Sequence, residues 1–220
     1  MVNPQYELCR EVLVKLETAG VLRHLVLVGS WCLLVYQKYF AQTGALRTLR
    51  TRDLDFLVPI PLRIPLAVDV PDLLADIGFV PGHRGEEGYM ILQHPELLVE
   101  FLVPERGRGY AGAYPLRQLG MNAQPLRFMD LALMKPMPGE LFKMVVRVPH
   151  PACFALHKLI VSARRKDVAK KQRDIESAIE ILELLRKQDA YSDVVEVLRS
   201  LPQTWQRTIR KQAAPYDLSP

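Results

Sequence analysis

The sequence predicts an α+β protein in which a mixed β-sheet with flanking helices is followed by a C-terminal helical bundle. Short apolar runs rich in β-branched residues recur through the first two thirds of the chain. Breaks rich in Pro and Gly separate them. From Ala152 to about Arg210 the pattern becomes almost wholly helical, so the boundary falls near residue 149, with an α/β unit over 1–149 and a helical unit over 150–220.

Taken in order, Tyr6–Ala19 carries Leu8, Val12, Leu13 and Leu16 at helical spacing, with Gly20 as the stop. His24–Val28 is a short, fully apolar run suited to a buried strand. Gly29-Ser30 breaks it, and Trp31–Phe40 resumes as a helix. Asp53–Val58 reads as a second strand, ended by the Pro-rich stretch 59–65. A short helix over Pro71–Asp76 is capped by Gly78, and two strands follow at Tyr89–Leu92 and Leu97–Val103. Arg106–Gly112, rich in Gly and Arg, reads as a mobile surface loop. Gln124–Phe128 and Lys143–Val148 suggest further strands around a Pro-rich connection at Pro136–Gly139. Beyond His150-Pro151, one helical stripe runs through Phe154, Leu156, Leu159 and Ile160, and another through Ile175, Ala178, Ile179, Leu182 and Leu185.

With 220 residues, 49% of them hydrophobic and 24% charged, the chain can bury a sizeable core without disulfides or structural metals. Its charge of +5 suits a phosphate-bearing partner. Cys9, Cys32 and Cys153 are odd in number and widely spaced, which excludes a disulfide framework and a CxxC metal pair and points to a reducing, cytoplasmic setting. No apolar run approaches the roughly 18–20 residues that span a bilayer, so a soluble protein is expected.

The chemistry concentrates in the acids. In Asp53-Leu54-Asp55-Phe56 two carboxylates two residues apart on a strand leave one face, while Leu54 and Phe56 point into the core. Two carboxylates so close repel unless a cation sits between them, as in many Mg²⁺ sites, although a strand end facing solvent would look the same. Glu100 stands in Leu97–Val103, where a charge is costly unless paired or metal-bound; the alternative is an edge or solvent-facing position. Gly29-Ser30, between a buried strand and a helix start, lets a phosphate approach the backbone. It could equally be a simple turn and cap.

Val28-Gly29-Ser30, then Asp53–Phe56, then Val99-Glu100-Phe101 resembles, in order and context, the nucleotidyltransferase (polymerase β-like) superfamily. Leu49-Arg50-Thr51-Arg52 before the acidic pair, with Phe154–Ser162, Arg164-Arg165 and Lys170–Asp174 in the helical half, is similar to a bacterial branch that includes AbiEii-type proteins. The likeness runs over roughly residues 20–190. It implies a metal-dependent enzyme that moves an NMP group from an NTP to a hydroxyl of RNA, protein or a small molecule, with Mg²⁺ or Mn²⁺ as cofactor. Asp53, Asp55 and Glu100 would then be both metal ligands and catalytic carboxylates. Gly29, Ser30, Arg50, Thr51 and Lys158 would bind the nucleotide, with Arg165 and Asp174 in support. Alternatives on the same fold are a catalytically silent nucleotide- or nucleic-acid-binding module and a toxin-type tRNA modifier.

Other site chemistries find no footing. The five histidines lack metal-ligand spacing, Ser30 has no GxSxG context, and no GxxxxGK[ST] loop occurs. The basic run 164–171 is compatible with a nucleic-acid-binding patch, but a charge run of this kind is more often a solvated helix or loop.

Overall fold

The computed structural model describes residues 3–41, 51–105, 107 and 112–217. The chain forms two compact units: Met1–Met129 with Pro136–Val148, and Asp130–Lys135 with Pro149–Pro220.

The first unit opens with α1 (Pro4–Thr18), whose start is fixed by Asn3 accepting a hydrogen bond from the Gln5 N–H at 3.0 Å. Its buried stripe, Leu8, Cys9, Val12, Leu13 and Leu16, follows the predicted helical period. The expected strand at His24–Val28 is shorter. Leu22–His24 closes a 3₁₀ turn, and β1 covers Val26–Val28. Gly29–Trp31 forms a second 3₁₀ turn leading into α2 (Cys32–Tyr39). β2 (Asp53–Leu57) follows, then α3 (Val70–Ala75), whose Asp69 accepts from the Asp72 N–H at 3.0 Å.

Next come β3 (Val80–Arg84), β4 (Tyr89–Gln93), β5 (Leu98–Pro104), β6 (Tyr114–Leu116) and β7 (Met121–Leu126). The sheet is mixed and runs β1-β2-β5-β4-β3, with β7 pairing β5 and β6. β2 lies parallel to β5 and β1 antiparallel to β2. The sequence pattern did not reveal β3, because Pro81 and Gly82 interrupt it. An edge strand tolerates both, and β3 ends the sheet order.

Pro136–Gly139, expected as a connection, belongs instead to β8 (Pro136–Leu141), which pairs with β9 (Met144–Pro149) in a separate two-stranded ribbon. Pro136 and Pro138 lie two residues apart and so share one lateral side of β8, and a two-stranded ribbon tolerates missing N–H groups on its open edges. Phe142 and Lys143 turn the ribbon at φ 52° and 66°. The Phe142 ring packs against Tyr6 and Trp31, with centroids 5.9 and 6.3 Å away, which offsets the strain of that turn. Gly139 leaves room for Val35 of α2.

The short α4 (Met129–Leu133) begins at the last residue of the first unit's main segment and otherwise belongs to the second unit. In the second unit, α5 (Pro151–Ser162) is buried on most sides and packs against α6 (Val168–Lys187), α7 (Tyr191–Ser200) and α8 (Gln203–Ala213). His150 starts α5 by accepting the Ala152 N–H on Nδ1 at 3.3 Å, and Asp167 starts α6 through the Lys170 N–H at 3.0 Å. The α6 stripe is Ile175, Ala178, Ile181, Leu182 and Leu185; Ile179 sits at its margin. Cys9, Cys32 and Cys153 are buried thiols outside any disulfide. No described helix is long and apolar enough to cross a membrane.

Candidate functional site

The first unit sets Asp53, Asp55 and Glu100 on one sheet face, with Gly29 and Ser30 in the turn beside it. Along β2, Leu54 and Phe56 are fully buried, while Asp53 is exposed and Asp55 half-buried. Alternation therefore presents both acids on the opposite face from the core. The β2–β5 register sets Asp53 beside Leu98 and Asp55 beside Glu100. Paired residues on neighbouring strands share a face, so Asp55 and Glu100 project side by side.

β1 brings the glycine turn to the same place, because Val28 pairs with Asp55 and the chain leaves the sheet one residue later. Gly29 sits at φ +74°, in the left-handed region that glycine tolerates best. A Cβ there would stand 2.5 Å from Asp55 Oδ2. Both the backbone conformation and the carboxylate therefore require glycine. Ser30, half-buried, occupies the 3₁₀ turn ahead of α2.

Glu100 does not sit at a sheet edge. β5 is flanked by β2 and β4 at this point, and Glu100 is 8% exposed. Its carboxylate meets Arg84 of β3, with Nη1 2.7 Å from Oε1. No sequence signal marked Arg84, since it closes the strand that the pattern hid. Among the described residues no three carboxylates, imidazoles or thiols converge closely enough to hold a metal ion. Asp53, Asp55 and Glu100 are thus hard oxygen donors on one face, the set that Mg²⁺ prefers, but they are not drawn together around one point. The fit is one of donor type and register, with Glu100 engaged by a protein cation.

Thr51 acts on the local backbone. Its Oγ1 accepts the Asp53 N–H at 3.2 Å, and its carbonyl accepts from the Gln5 side chain. This aligns the start of β2 and leaves the threonine hydroxyl turned to its own chain. Arg52 donates to the His94 carbonyl at 3.2 Å. Arg50, and most of the loop expected at Arg106–Gly112, lie outside the described residues.

In the second unit Lys158, Arg165 and Asp174 form their own cluster. Asp174, buried on α6, accepts from Lys158 Nζ at 2.7 Å on one oxygen and from Arg165 Nε at 2.9 Å on the other. Burial alone would raise the Asp174 carboxyl, but the two cations outweigh it and hold it below its ordinary value. Lys158 also lies over the Phe154 ring, 5.7 Å from its centroid. Its neighbour His157 is pushed down to about 4 by burial, with Lys158 adding to the effect, and its Nε2 has no hydrogen-bond partner among the described residues.

Two solved structures resemble the chain. One is an antigenic nucleotidyltransferase-like protein from Paracoccidioides brasiliensis, 11% identical, at TM-score 0.45 over 93% of this chain and 91% of that one. The other is the antibiotic-resistance factor ANT(2'')-Ia, 12% identical, at TM-score 0.46 over 89% of this chain and 97% of that one. No curated protein matches the sequence. The profile of the nucleotidyltransferase family matches residues 7–212, nearly the whole length, and the chain belongs to that family.

Proposed function

We propose that this nucleotidyltransferase transfers an NMP group from an NTP to a hydroxyl acceptor, with Asp53, Asp55 and Glu100 holding one or two Mg²⁺ or Mn²⁺ ions. The observation that carries the reading is the side-by-side register of Asp55 and Glu100 directly beneath the Gly29 turn. When bound, the metal would polarise the phosphoryl oxygens, help form the attacking alkoxide and offset charge on the leaving pyrophosphate.

The remaining steps belong to the chain. Asp53 and Asp55 fix negative charge on one face of β2. Glu100 adds a third carboxylate and, by the family resemblance, helps to deprotonate the acceptor hydroxyl. Gly29 keeps the approach to Asp55 clear of any side chain, and Ser30 with its neighbouring N–H groups offers donors to terminal phosphate oxygens. Lys158 supplies a positive charge to the nucleotide, with Asp174 setting its direction and Arg165 sharing that carboxylate. Thr51, whose hydroxyl serves the backbone, keeps a supporting role in ordering β2, and Arg50 remains assigned to the nucleotide by resemblance alone.

RNA is the acceptor that charge favours. The chain carries +5, and the exposed segment 163–173 holds Arg164, Arg165, Lys166, Lys170 and Arg173. Kinship with AbiEii-type proteins, carried by the residues around Arg50-Thr51 and 154–174, is part of the same proposal.

The test is to incubate the protein with Mg²⁺ or Mn²⁺ and each α-labelled NTP, offering itself, total tRNA and cell lysate as acceptors. Label should pass to one acceptor with the wild type and not with Asp53→Ala/Asp55→Ala. Equal transfer by both proteins refutes the assignment of the carboxylates.

A further inference from the structure

We propose that Arg84 is a built-in counter-cation for Glu100, one that a divalent ion must displace before Glu100 can serve as a ligand. The inference rests on the carboxylate reading above and adds to it a residue that competes with the metal.

Asp55 and Glu100 stand side by side on adjacent strands, so the face concentrates negative charge that repels itself. Glu100 lies within the sheet and is almost closed to solvent, where an uncompensated carboxylate is costly. Register places Gly82, Ile91 and Glu100 in one row across β3, β4 and β5. Arg84, two residues beyond Gly82, shares that face and must lean back along it to reach Glu100.

The two halves of the pair differ in freedom. The Glu100 side chain is 10% exposed, and that of Arg84 is 49% exposed. The carboxylate is therefore the fixed partner, and the guanidinium enters from solvent on a long stem that can swing away. The contact is an ion pair between one guanidinium nitrogen, Nη1, and one carboxylate oxygen, Oε1, at 2.7 Å. A half-exposed guanidinium held to the carboxylate through one nitrogen is replaceable by a divalent cation that takes Glu100 and Asp55 together as hard oxygen ligands. While that pair is made, one oxygen of Glu100 is occupied by Arg84 on the face it shares with Asp55. Only the fraction of molecules with Glu100 released binds metal well, so the apparent affinity falls by that fraction.

The test measures Mn²⁺ binding by the full chain, using electron paramagnetic resonance of the free ion and no nucleotide. Arg84→Gln should bind Mn²⁺ roughly fivefold to tenfold more tightly than the wild type, and Arg84→Lys, which keeps the charge, should stay nearer the wild type. In a Glu100→Gln background, Arg84→Gln should change affinity by less than about twofold, which separates a local competition from a general change in field. In the wild type, Mg²⁺ should shift the Arg84 side-chain nitrogen resonances, a readout that needs no variant. Unchanged or weaker Mn²⁺ binding in Arg84→Gln, or an equal gain without Glu100, overturns the proposal. Should Asp55→Asn abolish Mn²⁺ binding while Arg84→Gln leaves it untouched, the counter-cation fails and the metal reading survives. Should neither the wild type nor Arg84→Gln bind Mn²⁺, both fall.

Discussion

Neutralising Asp174 tests how the helical unit is held together. Its carboxylate, with the side chain 7% exposed, joins Lys158 on α5 to Arg165 in the α5–α6 connection. In Asp174→Asn the shape is kept and the charge is lost, leaving the Lys158 ammonium, 15% exposed, without its counter-ion. Removing one partner from a buried pair costs about 3–5 kcal/mol. The Arg165 side chain is 41% exposed, so water screens its share and the lower end, about 3 kcal/mol, applies. For a chain of this size each kcal/mol moves the melting midpoint by roughly 2–4 °C, which gives a fall of roughly 6–12 °C at neutral pH. The effect should fade in acid. The folded carboxyl lies below its ordinary value, so its stabilisation is complete above the unfolded pKa and is lost as pH falls through the folded one. The assay is calorimetry of the wild type, Asp174→Asn and Lys158→Met/Asp174→Leu, with the apolar pair recovering most of the loss. A shift below about 2 °C in Asp174→Asn at neutral pH would refute the reasoning, because the pair would then be no more than a surface contact.

Two further predictions concern the other elements. Gly29→Ala forces a side chain into the left-handed region and sets its Cβ 2.5 Å from Asp55 Oδ2. NMP transfer should fall at least about tenfold while stability drops by only about 1–2 kcal/mol, the cost of that backbone conformation; full activity would remove Gly29 from the site. His157, held at about 4 rather than 6.5 chiefly by burial, stays neutral in the fold. Its contribution is fully present above the ordinary imidazole pKa and is lost as pH falls from there towards 4, up to about 3 kcal/mol in all. Urea midpoints followed from pH 7 to 4 should therefore flatten in His157→Gln, and an unchanged slope would show that other groups drive the acid response.

Where sequence reading succeeded, one period governed a whole element. The stripe Leu8-Val12-Leu13-Leu16 on α1 and the alternation of Asp53-Leu54-Asp55-Phe56 on β2 each record a single buried face, and burial is what a hydrophobic pattern encodes. β3 and β8 were hidden for the opposite reason. Their Pro81, Gly82, Pro136 and Pro138 read locally as turns, yet an outer strand and a two-stranded ribbon can leave backbone nitrogens unpaired. The Phe142-Lys143 turn carries none of the usual Gly or Asn and is held by rings that are remote in sequence.

The candidate site divides along the same line. Asp53, Asp55 and Gly29 announce themselves because each departs from its neighbours within one short segment. Glu100 was visible as an acid among apolar residues, but the sequence left open whether it faced water, a metal or a protein partner. Only the strand order decides, by setting β5 between β2 and β4 and so removing the edge. Arg84 was beyond reach from sequence, since its relation to Glu100 passes through two registers, β3 with β4 and β4 with β5, and a pairing is a property of strands rather than of either residue alone. A buried acid inside a predicted strand therefore poses a question that composition cannot answer: which cation, the protein's own or one from solution, offsets it. Here the protein's own arginine holds the acid at 2.7 Å. On the proposed reading, an ion that recruits Glu100 has to release Arg84 as well as shed part of its own hydration, so the affinity of the face would be set partly by a residue that never touches the ion.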